Sequence, residues 1–149
     1  MIVGKGKRKH VVDDLLRDLP TQVEYHAQLL PPEIAVKLDE ATVLVLPSWP
    51  EGLGRVIIEA FARGRGVVAT GAGGVLDLVE SGVEGILIPP ADTDALVAEL
   101  TRVLTDQDLA RRLGAAAHAR YADWHATAEG FARETRDLVD LTLTRHGSR

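Results

Sequence analysis

The chain has 149 residues, of which 46% are hydrophobic and 26% are charged, and its formal net charge at pH 7 is −5. This length and composition predict one globular domain with a core of its own. The negative charge argues against a general affinity for nucleic acid, which needs a positive surface. The absence of cysteine excludes disulfides, thiolate metal sites and cysteine nucleophiles.

The one basic cluster lies near the N-terminus and consists of Lys5, Lys7, Arg8 and Lys9. We interpret it as a solvated loop. The first ten residues lack the apolar segment of a signal peptide, and no apolar run is long enough to cross a bilayer. We therefore expect a soluble, cytoplasmic protein, with peripheral membrane association left open.

Short apolar strands alternate with amphipathic helices along the chain. The predicted strands are, in chain order, residues 2–3, 23–25, 43–46, 67–69 and 86–88. The predicted helices cover residues 9–17, 32–39, 54–63, 71–82 and everything from 92 onward, with breaks near 105 and 121. Since the strands are almost solidly apolar, this alternation predicts an α/β fold, a Rossmann-like doubly wound parallel sheet of about five strands with a helical C-terminal extension.

The chain is expected to divide into a Rossmann-like domain, residues 1–122, and a C-terminal helix with a frayed tail, residues 123–149. The sequence opens inside a strand, so we expect that a first strand and helix are missing. We interpret the sequence as a fragment, or as a gene whose start lies too far downstream. The last helix is predicted from about Trp124 to Leu143. Its apolar residues would be partly uncovered and would favour self-association or a partner chain; they are Phe131, Leu138, Val139 and Leu141.

The segment richest in chemistry, residues 47–60, begins at the end of the third strand and runs into a helix. Ligands of open parallel sheets bind at that edge. Gly52 and Gly54 carry no side chain, so a ligand can approach their backbone closely. The free N–H groups at a helix start favour phosphate. The segment therefore predicts a turn that binds a diphosphate.

Glu51 and Glu59 flank this turn. Carboxylates accept hydrogen bonds from hydroxyl groups, which a sugar and a ribose supply. A diphosphate between two such acids fits a nucleotide sugar. The alternatives are that Glu59 faces solvent on an amphipathic helix and that Glu51 only favours the helix dipole. Arg55 could reach a phosphate, although an exposed helix residue is the simpler interpretation.

The pattern Pro-Ser-x-x-Glu-Gly-x-Gly-x-x-x-x-Glu-Ala at residues 47–60 resembles the signature of the large retaining GT-B group, glycosyltransferase family 4. The resemblance continues through residues 64–70, 73–79 and 82–92. It implies the C-terminal, donor-binding half of a GT-B fold. The implied reaction moves a sugar from a nucleoside diphosphate sugar to an acceptor hydroxyl with retention, without a metal or other cofactor.

The resemblance also implies roles for single residues. Glu51 would contact hydroxyls of the transferred sugar and is the predicted catalytic residue. Glu59 would contact the ribose. The backbone of Gly52, Leu53 and Gly54 would face the sugar and the diphosphate.

Gly4 and Gly6 resemble the family loop near the base, with a purely structural turn as the alternative. The residues that neutralise the diphosphate in the family precede residue 1. The expected partners are the donor and an acceptor that is a glycan, a glycolipid or a small molecule. An acceptor-binding domain or partner chain is also expected, and nucleic acid is not.

A second function is a non-catalytic nucleotide-binding or interaction subunit, inactive without a partner or the missing N-terminal half. A response-regulator domain does not fit, because the strand at residues 43–46 is followed by Pro-Ser-Trp-Pro and not by an aspartate.

The 149-residue chain on its own is expected to bind a nucleotide weakly and to give no turnover, because transition-state stabilisation needs groups from both halves of the cleft. A glycosyl-transfer assay with radiolabelled donors measures this. Robust product from the isolated chain would contradict the prediction.

Overall fold

The computed structural model describes residues 1–125 and 127–146, with side chains described as far as Thr144. Internal contacts divide the chain into an N-terminal unit, Met1–Ala41, and a larger unit that begins at Thr42. The boundary predicted after residue 122 stays a prediction.

The N-terminal unit alternates two short strands with two helices. They are β1 (Ile2–Val3), α1 (Lys9–Asp18), β2 (Tyr25–His26) and α2 (Pro31–Glu40). β1 and β2 are parallel, with Ile2 opposite Tyr25. α2 starts at a proline, whose fixed φ suits a first helical turn, and Glu33 accepts the Leu30 N–H at 2.7 Å. The second strand lies at residues 25–26, slightly beyond the predicted position at 23–25.

The larger unit has a three-stranded parallel sheet. Its elements are β3 (Leu44–Leu46), α3 (Arg55–Ala62), β4 (Val67–Thr70), α4 (Val75–Leu78), β5 (Gly85–Ile88), α5 (Thr93–Thr105), α6 (Gln107–Arg120), a 3₁₀ turn (Tyr121–Asp123) and α7 (Ala128–His146). The strand order is β3-β4-β5. The α/β fold with parallel strands is confirmed, and the five strands pair as one sheet of two and one of three.

β4 is the central strand of this sheet, and all four of its side chains are buried. Successive residues of a strand face opposite sides. Val67 and Ala69 accordingly pack into a cluster with Ile57, Phe61 and residues of α4. Val68 packs into a second cluster with residues of β5, α5 and α6. The sheet is therefore covered on both faces, as the solid apolar strands predict.

The helix predicted between Gly71 and Gly82 is shorter than expected. α4 ends at Leu78, and the next residue, Val79, is extended and buried. Its side chain joins the first core cluster, which ends the helix. The break predicted near residue 105 is present, because the Asp106 carboxylate accepts the Leu109 N–H at 2.9 Å and caps α6.

The last helix starts at Ala128, later than predicted, and continues to His146. Trp124 lies before it and packs against the first core cluster. Residues 144–146, predicted to fray, are helical, and the rest of the predicted tail lies outside the described residues. The apolar side chains predicted to be uncovered are exposed, with Phe131 at 65% and Leu138 at 67%. Self-association through them stays a prediction.

No helix in the described part of the chain combines the length and the apolar character that crossing a bilayer requires.

The contact between Gly64 and Gly114 gives a test of the packing of α6. A Cβ added at Gly114 would overlap the Gly64 carbonyl oxygen. Alanine normally stabilises a helix interior by about 1 kcal/mol over glycine, but the clash should reverse this. We expect Gly114→Ala to lower the free energy of unfolding by about 1–3 kcal/mol in urea denaturation.

Ala115→Gln is the control for that variant, because Ala115 is exposed in the same helix. It should leave the midpoint almost unchanged. A Gly114→Ala protein as stable as the wild type would show that α6 can move away from Gly64 at little cost.

Candidate functional site

The candidate site is the turn between β3 and α3, residues 47–54. It ends at Gly54, which is buried and has φ +63° and ψ 51° immediately before α3. This left-handed conformation favours glycine. A Cβ here would also lie 3.1 Å from the Ile57 Cδ1 atom and 3.3 Å from the Leu46 Cδ2 atom. The second glycine of the motif is therefore required by the entry into α3.

The Glu51 carboxylate is half-buried and held from two sides. The Ser48 hydroxyl donates to its Oε2 atom at 2.6 Å, and the Gly52 N–H donates to Oε1 at 3.1 Å. These contacts keep the carboxylate within the turn. Ser48 is a site residue that the sequence prediction did not include, and the available signal was a hydroxyl residue three positions before the acid.

A second glycine turn supports the first one. Gly73 and Gly74 follow β4, and the Gly74 N–H donates to the Gly52 carbonyl at 2.9 Å. A Cβ at Gly73 would overlap the Glu51 carbonyl oxygen, and one at Gly74 would overlap that of Gly52. Because β3 and β4 are parallel neighbours, both turns emerge at one edge of the sheet. The two backbones can touch only because both residues of the second turn lack side chains.

The remaining motif residues lie in the turn and on α3. Three of them are exposed: Gly52, Leu53 and Arg55, which is the first residue of α3. Glu59 lies one turn further along the same helix and is half-buried. It is therefore neither fully exposed to solvent nor enclosed in the core. Within residues 1–125 and 127–144, whose side chains the structure describes, neither Arg55 nor Glu59 has a hydrogen bond or an ion pair.

The structure thus gathers six predicted site residues in one turn and helix, namely Glu51, Gly52, Leu53, Gly54, Arg55 and Glu59. Gly4 and Gly6 belong to the N-terminal unit. There they line a cleft of ≈ 260 Å³ with Lys5, Arg8 and Tyr25 among its walls.

The wall of this cleft is partly ordered by polar contacts. The Tyr25 hydroxyl donates to the Gly4 carbonyl at 2.9 Å, and the Lys9 ammonium lies 5.6 Å from the centre of the Tyr25 ring. A hydrogen bond from Lys9 to Asp13 raises the pKa of that exposed ammonium above its usual value. The cleft therefore has a cationic rim beside an aromatic wall.

Within the described residues, no group of three or more histidines, aspartates and glutamates could hold a metal ion. Chemistry without a metal stays a prediction.

Comparison with known proteins identifies the family. The family described as glycosyl transferases group 1 matches residues 1–106. D-inositol 3-phosphate glycosyltransferase from Streptomyces griseus subsp. griseus is 35% identical over 129 residues, which cover 85% of this chain and 26% of that protein. The chain therefore spans about a quarter of the length of this curated relative.

Solved structures agree on the fold. Sucrose-phosphate synthase from Thermosynechococcus elongatus superposes with a TM-score of 0.77 and 30% identity, covering 93% of this chain and 38% of that one. Anabaena Alr3699/HepE, solved in complex with UDP-glucose, superposes with a TM-score of 0.74 and 24% identity, covering 93% and 40%.

The contact between the two glycine turns can be tested by mutation. Gly73→Ala would combine a positive φ of 58° with a clash against the Glu51 carbonyl. We expect it to lower the free energy of unfolding by about 2–4 kcal/mol and to change the fluorescence of Trp49, an exposed residue of the first turn.

The matched control is Gly82→Ala, since Gly82 also has a positive φ, 91°, but nothing within 4 Å of an added Cβ. It isolates the cost of backbone strain, about 1–2 kcal/mol. Equal losses in the two variants would mean that the contact between the turns contributes nothing.

Proposed function

Since this chain belongs to the group 1 glycosyl transferases, we propose that it binds a nucleoside diphosphate sugar and is the donor-binding half of a sugar-transferring enzyme. The observation that carries this proposal is the Glu51 carboxylate, held by Ser48 inside a glycine turn at the carboxyl edge of a parallel sheet. The sugar-transferring names of the relatives and the UDP-glucose bound to the HepE neighbour support it.

Each part of the donor has a suitable partner in this region. The start of α3 offers N–H groups to the diphosphate, and the exposed Arg55 adds a positive charge beside them. Glu51 accepts hydrogen bonds from hydroxyls of the sugar, and Glu59 accepts those of the ribose. The role of Gly4 and Gly6, which belong to the N-terminal unit, near the base stays a prediction.

In this proposal the transfer proceeds with retention of the anomeric configuration and without a metal. The chemical demand is to stabilise the negative charge that develops on the leaving diphosphate. Backbone N–H groups and the Arg55 guanidinium meet this demand with no metal ion. The proposed acceptor is a glycan, a glycolipid or a small molecule, and an acceptor-binding domain or a partner chain is proposed to hold it.

The second candidate is a non-catalytic nucleotide-binding or interaction subunit. The exposed apolar side chains of α7, among them Phe131 and Leu138, favour a role in contacts with another chain. A nucleotide-binding subunit would share the donor site with the first candidate, and a transfer assay with a partner separates those two. An interaction subunit without that site would bind no donor.

Variants of the two glutamates test the site. Glu51→Gln should weaken the sugar nucleotide about tenfold and leave the free nucleoside diphosphate unaffected, because only the sugar contact loses its charge. Glu59→Gln should weaken both ligands by a similar factor, because both carry the ribose. Isothermal titration with UDP, GDP and ADP and with UDP-glucose, GDP-mannose and ADP-glucose measures these constants.

Glu129→Gln is the control, since Glu129 is an exposed glutamate on α7. It should bind every ligand like the wild type. The proposal would be wrong if the wild-type chain bound none of the six ligands at millimolar concentration, or if both site variants bound them all with wild-type constants.

A further inference from the structure

We infer that Ser48 is a positioning residue for sugar recognition, because its hydroxyl orients the Glu51 carboxylate towards the donor sugar. This inference rests on the function proposed above. It assigns a task to a residue whose contact with Glu51 is internal to the protein.

The contact has the geometry of a strong hydrogen bond. The Ser48 Oγ atom lies 2.6 Å from the Glu51 Oε2 atom in a half-buried position. Hydrogen bonds from a hydroxyl to an ionised carboxylate are short and about twice as strong as neutral ones. Partial burial keeps water from replacing the hydroxyl freely. The contact therefore restricts the torsions of the glutamate side chain.

Ser48 is anchored better than the acid that it holds. It lies two residues after the end of β3, whose strand is paired with the buried β4. Glu51 lies in the middle of the turn. The hydrogen bond from the Gly74 N–H to the Gly52 carbonyl holds the main chain of this turn and makes no contact with the Glu51 side chain. The Ser48 hydroxyl connects the carboxylate to the sheet side of the turn.

The two contacts also determine how the carboxylate meets a ligand. Each carboxylate oxygen has about two positions at which it accepts a hydrogen bond. Ser48 occupies one position on Oε2 and the Gly52 N–H occupies one on Oε1. About one position on each oxygen is then left for a ligand. This arrangement suits two neighbouring hydroxyls of a sugar ring.

The test compares Ser48→Ala and Ser48→Thr in the full 149-residue chain. Titrations use UDP-glucose, GDP-mannose and ADP-glucose, each beside its free diphosphate. For the donor that the wild type binds best, Ser48→Ala should weaken the sugar nucleotide about tenfold and leave the free diphosphate unchanged. Ser48→Thr keeps the hydroxyl and should restore the wild-type constant.

A double-mutant cycle shows whether Ser48 acts through Glu51. In a Glu51→Gln background, Ser48→Ala should cause no further loss of sugar-nucleotide affinity. Additive losses would overturn the inference, and so would equal losses for both ligands, because a general disturbance of the turn would affect the diphosphate too.

The outcomes separate this inference from the proposed function. If the wild-type chain binds a sugar nucleotide more tightly than its diphosphate, and Ser48→Ala keeps that difference, the inference about Ser48 is refuted. The proposed function is then unaffected. A wild-type chain that binds none of these ligands refutes the proposed function, and the role of Ser48 with it.

Discussion

The burial of β4 on both faces is the constraint on which the larger unit depends. Val67 and Ala69 lie in one apolar cluster and Val68 in the other, so the strand contacts helices on each side. Its two neighbours are both parallel to it. Parallel neighbours end at the same edge, which brings the turns after β3 and β4 together. The site exists because the core fixes this edge.

At this edge the protein uses backbone and side chain for different tasks. The glycines of both turns let the main chains touch, with the Gly74 N–H bound to the Gly52 carbonyl. This contact shapes the turn proposed to receive the diphosphate. The side chains of Ser48 and Glu51 form a second layer, proposed to distinguish the sugar. A substitution can thus affect sugar recognition without affecting the nucleotide, which is why the two ligands must be measured separately.

Most elements could be predicted from local patterns, and the misses have physical causes. The apolar runs locate every strand to within two residues, and Asp106 marks the break between α5 and α6. α4 was predicted too long because Val79 leaves the helix to fill the core. α7 was predicted too early because Trp124 packs against the core before the helix begins. In each case tertiary burial prevailed over a local preference.

By itself the sequence determined the alternation of strands and helices, the glycine turn before α3 and the two glutamates eight positions apart, because these are local patterns of residue type. Only the tertiary structure decided that Ser48 holds Glu51 and that Gly73 and Gly74 lie against the turn. The first depends on the torsions of the turn, and the second on the register between two strands. Residue spacing alone shows neither contact. Ser48 stands three positions before Glu51, but the two side chains meet only in the folded turn, and the two glycine turns meet when separate segments pack on one core.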